Sequence, residues 1–166
     1  MKLDFWIEVP FETIAARTRY PIGDGDHGAI KPAMYKSDGG IPYIRVADIS
    51  DGEIVRDKLV YISPEVHQAN PKSHLLPGDI VISKTGATIG KVAIVPPDMP
   101  EANTTSSVGK ISIDPQKALS RFVVHYMRSP RFQSEMWAVS HKSAQPGFNI
   151  KDLKQFKIPL PPLAEQ

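Results

Sequence analysis

An α+β fold, with a mixed or antiparallel β-sheet core and short helices concentrated in the C-terminal half, is what the order of signals along this 166-residue chain predicts. Three observations carry that expectation. Sixteen prolines, about twice the usual share, fall between short apolar runs and so mark many short elements with rigid connections. Most runs of strand type come first, up to Ile113. Beyond it, the helix-start pairs Asp114 with Pro115 and Ser129 with Pro130 follow one another, and a strand returns near the C-terminus.

Taken in order, Pro10 opens a short helix expected over residues 11–17, amphipathic through Phe11, Ile14 and Ala15. Residues 21–40 are rich in Gly, Asp and Pro and show no period, so they read as a long loop of the kind that is usually functional or disordered. Residues 41–49 (IPYIRVADI) read as a strand that Pro42 pushes toward an edge or a strand start, and residues 58–62 as another. Ser63 as N-cap and Pro64 at the first helical position open a helical turn through Ala69. The turn residues Pro77, Gly78 and Asp79 precede a short buried strand at 80–83. The stretch 84–90 (KTGATIG) and a strand at 91–95 then complete a hairpin with a long tip. Residues 108–113 alternate as a strand. A helix over 116–128 places Leu119, Val123 and Met127 on one face, and the next is striped by Phe132, Met136 and Val139. A polar loop at 140–148, a short helix over 150–155 capped by Asn149, and a strand at 156–160 end the domain. The tail PPLAEQ is expected to leave it. Trp6, Trp137, Phe132 and Phe148 are most simply core residues.

Composition narrows the function classes. The chain is 41% hydrophobic and 23% charged, as in ordinary globular domains, and it contains no cysteine, which excludes disulfides, thiolate zinc sites and a thiol nucleophile. No apolar run approaches the length of a membrane helix, and Asp4, Glu8 and Pro10 interrupt the N-terminus, so neither a membrane partner nor a signal peptide is expected and a cytoplasmic location follows as the default. The net charge of +2 is unevenly spread: residues 1–78 hold nine bases against eleven acids, whereas residues 117–157 hold eight bases against two acids. Such a basic segment is either a phosphate-facing surface or a solvated helix face.

Motifs for catalysis are missing. GATIGK at 86–91 has three residues between its glycines instead of four, and Val92 follows the lysine, so it is no phosphate-binding loop. Asp24, Asp26 and His27 lack the remaining ligands of a calcium loop, and His67 and His74, seven apart with Pro71 between, share no helix face. No serine-nucleophile elbow, zinc-protease helix or dinucleotide fingerprint occurs. The residues therefore imply no catalytic group, no cofactor and no metal.

Five stretches, in order, resemble the target recognition domain of a type I restriction-modification DNA specificity subunit: DGDHG at 24–28, GIPYIRVADI at 40–49, GDIVISKTGATIGK at 78–91, SAQPGFNI at 143–150 and IPLPPLAEQ at 158–166. The resemblance spans nearly the whole chain. It implies a non-catalytic reader of one half of a bipartite site on double-stranded DNA, within a complex that also holds methyltransferase (modification) subunits and a motor-nuclease (restriction) subunit. It further implies that residues 1–158 form the recognition domain and that 159–166 begin a linker toward a spacer helix absent from this chain. Two other readings fit the same residues: the recognition part of a single-chain restriction-methyltransferase, and a half-subunit acting as a protein-interaction module.

Two loops supply most candidate DNA contacts. In the hairpin tip, Lys84 and Lys91 suit phosphates, while Thr85 and Thr88 suit base edges or a thymine methyl; the other reading is a tip whose glycines only satisfy turn geometry. In the late loop, Lys142, Ser143, Gln145 and Asn149 combine a phosphate anchor with amides able to pair adenine, although Asn149 is also placed to cap the helix that follows. Asp24, Asp26 and His27 are further candidates, since a carboxylate can accept from the amino group of cytosine, or else they form an Asx-turn that holds their own loop together.

Overall fold

The computed structural model describes residues 6–142 and 144–166. In chain order it contains β1 (Ile7–Pro10), α1 (Phe11–Ile14), β2 (Ile22–Asp24), β3 (Ile41–Ile44), β4 (Ile49–Ser50), β5 (Glu53–Ile54), β6 (Val60–Ile62), α2 (Pro64–Ala69) and β7 (His74–Leu75). There follow β8 (Ile80–Ser83), β9 (Val92–Ile94), β10 (Ala102–Thr104), β11 (Val108–Ile111), α3 (Ser120–Met127), α4 (Pro130–Ser140), α5 (Ile150–Gln155) and β12 (Lys157–Leu160). The α+β class holds, with the longer helices late in the chain.

A central antiparallel sheet, ordered β2-β11-β8-β9, organises the molecule. All four residues of β8 are buried because both faces of this sheet are covered, which is why the strand reads as an unbroken apolar run. Ile80, Ile82, Val92 and Ile111 face a core built from α1, α3, α4 and α5, with Phe132 at its centre against Phe11, Tyr126 and Phe156. Val81, Ala93 and Val108 face a second core shared with Ile44, Leu75 and Ala102. Those residues belong to a mixed sheet ordered β6-β3-β10-β7, in which β10 runs parallel to β3 and antiparallel to β7. Strands β1 and β12 pair antiparallel, Ile7 opposite Leu160 and Pro10 opposite Lys157.

Several elements are shorter or differently placed than the sequence suggests. The first helix stops at Ile14, where Ala15 and Ala16 turn to pair with the segment just past β11, Ala15 opposite Ile113 and the Ala16 N–H donating to Ser112 O. The strand expected over 41–49 breaks at a 3-10 turn, where the Asp48 carboxylate accepts from the Arg45 N–H. Asp114 and Pro115 start a single capped turn, after which Leu119 is extended and exposed, and α3 proper begins at Ser120. The stretch without visible period begins with β2. Strand β10 is likewise unheralded, since its Asn103 and Thr104 are polar yet fully buried. Strand β12 runs past the boundary expected at 158, and the tail folds back: Gln166 accepts from the Leu119 N–H at 2.8 Å and donates to Pro161 O at 2.9 Å.

Candidate nucleic-acid interface

Strands β8 and β9 form the expected hairpin, with Ile80 opposite Ile94 and Ile82 opposite Val92, and residues 84–90 project as its tip. Gly90 lets that tip lie against α4: it has a φ of +86°, and a Cβ there would come within 2.3 Å of Met136 Cε. The late loop arrives at the same place. Thr85 bridges Gly147, the Phe148 N–H donates to Lys84 O at 3.2 Å, and the Gly147 N–H donates to Ser140 O at 3.1 Å. Phe148 itself is buried edge-on against Phe156 and anchors the loop to the helical core. Two segments about sixty residues apart in sequence thereby share one open cleft of about 760 Å³, lined by Thr85, Gly86, Lys142, Gln145 and Asn149 among others.

The candidate residues divide by what their side chains already do. Thr85 and Gln145 are exposed on the cleft, and Lys142 and Lys91 are exposed with no carboxylate within 4 Å among the described residues. Ser143 lies outside the described residues. Thr88 is turned inward, its hydroxyl 3.2 Å from Ser83 Oγ. Asn149 caps α5 in a reciprocal box with Asp152, accepting from the Asp152 N–H at 2.9 Å, so its carbonyl oxygen is committed to the helix.

Lys84 corrects the expectation of a lysine free to reach a phosphate. Its side chain is only 8% exposed, and Nζ lies 2.6 Å from Asp24 Oδ2. Asp24 in turn holds His27 Nε2 at 3.0 Å through its other oxygen, so neither member of the pair is a free acceptor or donor. His27 projects outward, 72% exposed. The loop around it is self-supported: Asp26 accepts from the Ile30 N–H and the Tyr43 hydroxyl, and Gly25 packs so tightly on Thr105 that a Cβ would sit 2.0 Å from its carbonyl carbon.

Of the eight bases in residues 117–157, Lys117, Arg128 and Arg131 are paired with Asp114, Asp51 and Glu8. Lys142, Lys151, Lys154 and Lys157 are exposed without such partners among the described residues, and all lie in the late loop, α5 or the strand after it. Trp137, assigned to the core from sequence, is 41% exposed and stacks on His141 at 4.5 Å next to the late loop. The signal was available: Trp137 falls about 130° from the Phe132, Met136 and Val139 stripe on a helix of about 3.6 residues per turn.

A second polar cluster lies under the second sheet. His67 and His74 share no helix, yet the turn between α2 and β7 stacks their rings at 3.7 Å and 11°. The Asn103 amide oxygen accepts from the Thr104 N–H, which turns its NH₂ toward His67 Nδ1 at 3.1 Å and Asn70 O at 3.4 Å. His67 Nδ1 is therefore an acceptor, and the His67 imidazole is held neutral. Burial, and then the neighbouring His74, push its pKa below the usual histidine value against the pull of Glu101. Lys110 donates to His74 O at 2.8 Å; burial lowers its pKa while Asp79 opposes the shift. Burial raises the Asp79 carboxyl, opposed by the Leu76 N–H, Ser112 and Lys110. No group of three metal-ligating side chains forms among the described residues.

Rigid sheets that present abutting polar loops, with exposed lysines beside them, define a recognition domain. The chain belongs to the type I restriction modification DNA specificity domain family, whose model matches residues 26–166. It is 34% identical over 140 residues to the type I restriction enzyme EcoBI specificity subunit of Escherichia coli, covering 84% of this chain and 29% of that protein. Its fold is similar to the HsdS subunit from Thermoanaerobacter tengcongensis, with a TM-score of 0.68 at 20% identity over 98% of this chain and 34% of that one. A chain from a structure of type I R-M system assembly and conformational transition matches at a TM-score of 0.70 and 20% identity, over 98% of this chain and 35% of that one. The chain thus spans about a third of the length of these relatives.

Proposed function

We propose that this domain reads one half of a bipartite site on double-stranded DNA, without catalysis of its own, for a complex that includes methyltransferase and motor-nuclease subunits. The recognition unit is the one expected over residues 1–158, with its closing strand carried to Leu160. The supporting observation is the junction of the hairpin tip and the late loop at Thr85 and Gly147, which places Thr85, Gln145 and Lys142 on one open cleft. Thr85 and Gln145 have the reach and chemistry for base edges. Lys142 and Lys91 supply charge that is the same at every step of a duplex.

The test is an anisotropy titration of the chain against an arbitrary duplex across a salt series. Lys142→Ala and Lys91→Ala should each weaken binding to every duplex and reduce the log–log salt slope by about one unit. Binding to no duplex even at low salt contradicts the reading.

A further inference from the structure

Lys84 ties together three segments distant in sequence. Its Nζ holds Asp24 at the end of β2, its N–H donates to Ser107 O at 2.9 Å before β11, and its carbonyl accepts from Phe148 in the late loop. The lysine stem crosses Gly109, where a Cβ would come within 3.4 Å of Lys84 Cδ and 2.9 Å of Leu153 Cδ2. Gly109 is also the β11 residue paired with Asp24. The ion pair is therefore seated in a slot that the glycine leaves open, with both side chains largely withdrawn from water. Asp24 also holds exposed His27, three residues on in the same loop, whose φ of +50° is a left-handed conformation.

We propose that Asp24 and Lys84 are a positioning pair that sets the hairpin tip, the late loop and the His27 loop at fixed heights relative to one another, so that base discrimination depends on them although neither touches DNA. This rests on the reading that these loops face a duplex. The physical reason is that a charge-assisted bond in a low-dielectric slot is strong and directional, and removing one partner leaves the other buried without compensation. A lysine serving as a phosphate anchor would need the opposite, an amine open to solvent.

The experiment uses the 166-residue chain and a pool of short randomised duplexes. Sequencing of the bound fraction gives discrimination, and titration of one arbitrary duplex gives affinity and salt slope. Lys84→Gln should lower discrimination about tenfold or more, leave the salt slope unchanged, and speed exchange of the Phe148 amide; Lys84→Arg should keep discrimination. Asp24→Asn, which retains the lysine and a polar partner, guards against a variant that fails to fold. It should also lose discrimination, whereas a lysine released to reach phosphate would raise arbitrary-duplex affinity. The proposal is overturned if Lys84→Gln cuts the slope by about one unit with selection unchanged, or if Asp24→Asn tightens binding. Failure of the unaltered chain to bind any duplex would instead overturn the DNA reading, and an unchanged Phe148 amide in Lys84→Gln would still overturn the clamp.

Discussion

On its helical side the central sheet meets apolar side chains, with Phe11, Phe132, Met136 and Leu153 packed on Ile80, Ile82 and Ile111. On the side of the second sheet, Asn103, Thr104 and His67 are as deeply buried as the aliphatic residues around them, and Lys110 is nearly so. The first arrangement gains stability from area and dispersion, which are non-directional. The second gains less per group but admits one arrangement, because a satisfied polar network fixes which donor faces which acceptor. Among the described residues no buried side-chain polar atom lacks a partner. Both sides hold the domain together through apolar packing, and on the second side the polar network also fixes α2, β3, β7 and β10 against one another.

Substitutions on the two sides should separate these contributions. Phe132→Ala, at the centre of the aromatic group, should cost about 3–5 kcal/mol in a urea melt. A cost below about 1 kcal/mol would place the stabilising core elsewhere. Asn103→Leu keeps the branch at Cγ but strands the Thr104 N–H and His67 Nδ1, so a calorimetric loss of about 1–3 kcal/mol is expected. A neutral result would mean that these groups are met by water.

The smallest effect is in proton linkage. Because the folded-state pKa of His67 is lowered, the unfolded chain binds more protons near and below the ordinary histidine pKa. Stability from this group is complete above about pH 6.5 and declines as the pH falls toward the lowered folded value. Asp79, whose pKa is raised, contributes in the opposite sense as pH rises through the carboxylate range. Subtracting the profile of His67→Gln from that of the unaltered chain isolates the histidine. A difference profile that is flat from neutral to mildly acidic pH would contradict the neutral-imidazole assignment.

The sequence made the helical side readable because its periodicity is simple: the α4 stripe, the Ser63, Ser129 and Asn149 caps, and the β8–β9 hairpin all appear where local chemistry places them. The polar side was not readable. Strand β10 has no apolar alternation to announce it, and the His67–His74 stack depends on a turn whose path local signals do not specify. At the interface both loops were legible from their glycines, amides and lysines, but not their junction, a tertiary contact between Thr85 and Gly147. The fate of Lys84 was hidden for the same reason: Asp24, its partner, lies sixty residues away.

Hydrogen exchange of the chain with and without saturating randomised duplex at low salt probes that junction. DNA is expected to slow exchange together in residues 84–90 and 144–149, while α2, on the side of the second sheet, exchanges unchanged. Protection of only one of these loops, or of neither while another surface is protected, would contradict it.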